Sequence, residues 1–116
     1  MPIESPYVFM VSMDVAPEKE ALFNEVYDQE HIPNLMKVAG VRAVRRVKSL
    51  PFAVRVGGER QEMSAGSPRY TAIYEIDGPE VLESEAWAKA VEAGRWPGEV
   101  RPHTTNRRHV LAKAIT

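Results

Sequence analysis

The first strong pattern in the chain is Tyr7-Val8-Phe9-Met10-Val11-Ser12-Met13-Asp14-Val15, apolar on both alternating faces and rich in β-branched and aromatic residues. Such a strand belongs in the middle of a sheet, covered on both sides. Pro17, Glu18 and Glu20 then mark a helix start. Ala21, Leu22, Glu25, Val26 and Gln29 fall on one helical stripe, and Phe23, Tyr27 and His31 form an adjacent i, i+4 row. Pro33 disfavours a helical backbone at Ile32, so the helix is expected to end near His31. That end would place the imidazole beside free carbonyls, whose dipole favours its protonated form. Residues 34–39 read as a short turn or helical coil, and Gly40 suits a left-handed backbone position. The strand 41–48 follows, with Val41, Ala43, Arg45 and Val47 on one face and Arg42, Val44, Arg46 and Lys48 on the other.

Residues 50–68 show no clean period and are expected to be a loop insertion, either a surface excursion or a lid; 52–56 has the makings of a short strand before Gly57-Gly58. A clear strand covers 69–76. Asp77 is placed to cap a short turn with Glu80 three residues on, and Ser84 to cap a second helix over 85–93, closed by Gly94. The last strand spans 105–115. The order is β-α-β-β-α-β, an α+β, ferredoxin-like arrangement: one domain over 1–116, a four-stranded antiparallel sheet with two helices on one face. The other face of an apolar central strand needs a cover, and a second copy is the simplest.

Composition narrows the function. Fifteen basic against sixteen acidic residues give a net charge of −1, so no global field draws a nucleic acid. No cysteine is present, which removes disulfides, thiolate metal sites and cysteine nucleophiles and suits a reducing, cytoplasmic setting. Glu4 precedes the first apolar run and no basic n-region is seen, so no targeting segment is expected. No apolar run approaches the roughly 20 residues that span a bilayer.

The block Tyr27-x-x-Glu30-His31-x-Pro33-x-Leu35, followed by Gly40-Val41, resembles the EthD-like branch of the dimeric α/β-barrel superfamily. The strand 70–76, Ser84-x-x-Trp87 and the basic last strand extend the resemblance over nearly the whole chain except 50–68. The resemblance implies a homodimer with two sheets packed face to face, and a pocket between each sheet and its helices with a histidine at its rim. Relatives include cofactor-independent monooxygenases, lactone isomerases, aromatic polyketide cyclases and haem enzymes.

His31 and Tyr27 are the candidate catalytic pair, one helical turn apart: an imidazole for proton transfer and a phenol to hold an oxyanion. Asn34, Arg45, Tyr74 and Trp87 are candidates for substrate binding. Either arginine of Arg45-Arg46 or of Arg107-Arg108 can face a pocket and bind a carboxylate. His31, His103 and His109 have no ligand spacing and nothing marks an axial haem ligand, so neither metal nor cofactor is expected. The expected function is a cofactor-independent isomerase, cyclase or oxygenase acting on a small aromatic, lactone or polyketide-like compound. The alternative is a non-catalytic homodimeric module that binds a small ligand or is structural.

Overall fold

The computed structural model describes residues 3–116. Strands β1 (Tyr7–Val15), β2 (Val41–Lys48), β5 (Tyr70–Ile76) and β6 (Thr104–Lys113) form one antiparallel sheet in the order β2-β5-β1-β6. Between β2 and β5 a separate hairpin, β3 (Phe52–Val56) and β4 (Glu59–Met63), projects from the body. Gly57 and Gly58 both take positive φ at its tip, the backbone a two-residue hairpin turn demands. The segment expected as a loop is thus an ordered, fully exposed ribbon.

The helical side is built from α1 (Glu20–Val26), α2 (Ile32–Met36) and α3 (Glu85–Val91). Ser84 caps α3 as expected, accepting from Trp87 N–H at 3.2 Å. Asp77 does not cap; its carboxylate turns to Arg42 instead. Gly40 (φ +93°) lies so close to Val81 that a Cβ there would meet Cγ2 at 2.5 Å, so this crossing needs glycine.

The two faces of the sheet differ sharply. Phe9, Val11 and Met13 of β1, Tyr70, Ala72 and Tyr74 of β5, and Val44 and Arg46 of β2 face the helices. The core is there, around Phe23, Val26, Tyr27, Leu35, Tyr74, Trp96 and Val100. The opposite face carries Val8, Met10, Ile73, Val110 and Ala112, all half-buried; at one end of it the backbone N–H groups of Glu4 and Ser5 donate to the Glu75 carboxylate. Among the described residues no helix is long and apolar enough to cross a membrane.

Candidate functional site

The first helix does not end at His31. It runs from Glu20 to Met36 through a wide π-turn over Tyr27–His31, in which Ile32 N–H reaches back five residues to Tyr27 C=O. The wide turn admits Pro33. In a regular helix its ring would meet the carbonyl of Gln29, and it has no N–H to offer it. His31 is therefore mid-helix and buried, at 5 % exposure, and the free carbonyls expected beside it are absent.

A second π-turn, Trp96–Val100, lies opposite. It brings Trp96 flat onto His31, ring centroids 4.4 Å apart and planes inclined by 20°. Tyr27 packs edge-on against both rings, at 5.0 Å from His31 and 4.9 Å from Trp96. Arg95, just before this turn, is paired with Glu30 and Glu25, which ties the two wide turns together.

These side chains wall a cavity of about 500 Å³ between the sheet and the helices. Phe9, Val11, Met13 and Tyr74 form its floor, and Trp87, Val91, Trp96 and His31 its helical wall. Arg101, Arg107 and His109 stand on the β6 side, where Arg107 and His109 are exposed to solvent. Arg101 is held by Glu92 (3.0 Å) and by Val91 C=O (2.9 Å), whereas Arg107 has no partner among the described residues. His109 lies roughly parallel to Phe9 at 5.9 Å.

Burial sets the electrostatics. Desolvation, assisted by the Arg101 charge, pushes the His31 pKa down to about 4, so the ring is neutral at pH 7. This reverses the shift expected from a helix end. Its Nδ1 is buried and has no hydrogen-bond partner among the described residues. Tyr27 and Tyr74 share a buried hydrogen bond between their hydroxyls at 3.0 Å. Desolvation raises Tyr27 to about 12, and Tyr74 is also raised well above its ordinary value, so both remain phenols. Such an array offers a neutral base and a phenolic donor in one low-dielectric chamber.

The structure brings His31, Tyr27, Tyr74 and Trp87 to this cavity. Asn34 is half-buried and lies outside its lining. Arg45 is exposed on the open face of the sheet, opposite Ile73. The parity of β2 near its start is reset by a register shift between Val41 and Ala43, which puts Val41 in the core instead of beside Ala43 and Arg45. Arg46, the helix-side member of its pair, is engaged with Asn24 and Asp28 over the Tyr27 ring (4.5 Å) and also stays off the cavity. The arginines on the cavity are Arg107 and Arg101. Among the described residues no cluster of three or more His, Cys, Asp or Glu could hold a metal ion.

No family model and no curated protein matches the chain. Solved structures do. An EthD family protein from Bacillus halodurans superposes with a TM-score of 0.57 at 15% identity, covering 94% of this chain and 99% of that one. A mutant of MhuD with two manganese protoporphyrin IX molecules bound per active site gives 0.62 at 14% identity, covering 96% of each chain. MhuD from Mycobacterium tuberculosis, a haem-degrader with two haems in its active site, gives 0.55 at 14% identity over 96% of this chain and 97% of that one. The chain therefore has a ferredoxin-like fold, and its resemblance to the EthD-like branch is borne out as a likeness of fold alone.

Proposed function

We propose that this chain is a small cofactor-independent enzyme of the isomerase, cyclase or oxygenase type, acting on a small aromatic, lactone or polyketide-like compound. The observation that carries this reading is His31 Nδ1: buried, without a partner among the described residues, and part of a side chain on the cavity wall. A satisfied structural histidine would have that nitrogen bonded. In the proposed reaction a planar substrate lies against Trp87, Phe9 and Trp96. His31 takes a proton from a carbon or hydroxyl next to a carbonyl, and the Tyr27–Tyr74 pair donates to the oxyanion that develops. Arg107 and Arg101 anchor an acid group. The protomer works as half of a homodimer, in a cytoplasmic setting to which a cysteine-free chain is suited.

The test is a panel of aromatic acids, lactones and polyketide-like phenols, with binding read from tryptophan fluorescence and turnover by chromatography. His31→Ala should keep binding and lose turnover by roughly 10²-fold or more. Undiminished turnover by that variant would overturn the assignment. A second reading, a non-catalytic ligand-binding module, draws on the mainly aromatic and aliphatic lining. It predicts binding with no turnover of any ligand by the unmodified protein.

A further inference from the structure

We propose that the β3–β4 hairpin is an arm that docks on a second copy of this chain, its apolar row against the β6 margin of that copy's open sheet face. This rests on the homodimer reading above and adds the segment that clasps the partner. Phe52, Val54 and Val56 alternate along β3, and the register sets Met63 opposite Phe52, so the four share one face. They are 56%, 41%, 61% and 46% exposed, and every other residue of the ribbon is exposed too. The arm therefore covers nothing of its own protomer. A two-stranded ribbon with one bare apolar face is marginal in water by itself and gains most from a surface that covers that face.

Its base is nonetheless fixed. Ser49 N–H donates to Arg69 C=O at 2.8 Å and Ser49 Oγ to Gly66 C=O at 2.6 Å. The Asp14 carboxylate accepts from Arg69 N–H (2.8 Å), Ser67 Oγ (3.1 Å) and Asn106 Nδ2 (2.9 Å). The arm is thus held out in one direction by β1 and β6.

The occupant follows from complementarity. Glu59 lies on the apolar face of the arm, opposite Val56, and has no partner among the described residues. The open sheet face has an apolar centre of Met10, Ile73 and Val110, with Arg108 on β6 and Arg45 on β2 at its margins. Neither arginine has a partner among the described residues. An apolar arm with an unpaired acid matches an apolar sheet edged by unpaired arginines, and both surfaces are on this chain.

Sedimentation velocity over a concentration series tests it on the full-length chain. Phe52→Ser/Val54→Ser should weaken the dimer at least tenfold with an unchanged far-UV spectrum. Glu59→Arg and Arg108→Glu should each weaken it, and the double variant should regain most of the loss. A dimer indifferent to Phe52→Ser/Val54→Ser overturns the arm and leaves the dimer standing. Single charge variants without effect, or a double variant that regains nothing, overturn the docking at Arg108. An unmodified chain that sediments as a 13.0 kDa monomer at all concentrations overturns the dimer itself and the arm with it.

Discussion

Ile73 and Tyr74 are neighbours on β5 and face opposite worlds. Tyr74 is 1% exposed, bonded to Tyr27 and packed edge-on against Trp87 at 5.5 Å. Ile73 is half-buried on the sheet face turned away from the core helices. The helix side is complete within one protomer, and the cavity belongs to it. The open side is not. The proposed chemistry and the proposed assembly are thus separated by the thickness of one sheet, and a substitution can probe either without the other.

The largest effect is expected on the finished side. Tyr74→Ala should cost about 3–5 kcal/mol in urea unfolding, since it leaves a large void and strands the Tyr27 hydroxyl. Ile73→Ala, one residue away, should cost well under half of that when measured at a concentration where the protein is monomeric. Comparable losses would mean that the two faces are not different.

The second expectation concerns pH. The unfolded His31 titrates near 6.5 and the folded one near 4, so between these values the unfolded chain binds more protons. Stability from this group is full above pH 6.5 and is lost as pH falls toward 4, by about 3 kcal/mol in all. His31→Phe should flatten that limb of the stability-versus-pH curve; an unchanged acid limb would place its cause elsewhere.

On the open face, Ile73→Asp should dissociate the proposed dimer with little change in the far-UV spectrum, read by sedimentation. A variant that still dimerises would move the interface off this face. Gly40→Ala, at the crossing of β2 and the turn before α3, should lower stability by about 1–2 kcal/mol from the positive φ alone, and more from the Val81 contact. The smallest effect belongs to the exposed Arg60–Glu62 pair on the arm: Arg60→Ala should fall within about 0.5 kcal/mol of the parent in thermal unfolding.

Much of this architecture is legible in the sequence because it rests on period and punctuation. The alternation in 7–15 and 70–76, the cap at Ser84 and the glycine at 40 each specify a local geometry that the sheet order then joins. The row Phe23, Tyr27, His31 leads to the cavity wall for the same reason. What pattern could not carry is the widening of a helix. Pro33 reads as a stop, and only tertiary packing around His31 and Trp96 turns the stop into a π-turn. Of the two cavity arginines, Arg107 stood among the four candidates and Arg101 did not. Members of the pairs Arg45-Arg46 and Arg107-Arg108 look equivalent until strand parity is fixed, and no pattern marks Arg101. Trp96 carried no signal beyond its size.

The π-turn at Tyr27–His31 also acts as an angular setting. It holds one residue more than an ordinary turn would, and each helical residue turns the chain by about 100°. Deleting one residue from 28–30 would restore regular winding and leave the flanking segments, with Tyr27 and Leu35, in their present phase. In a lineage of such chains, a one-codon change of length here would decide whether Pro33 fits within the helix while the residues on either side keep their register.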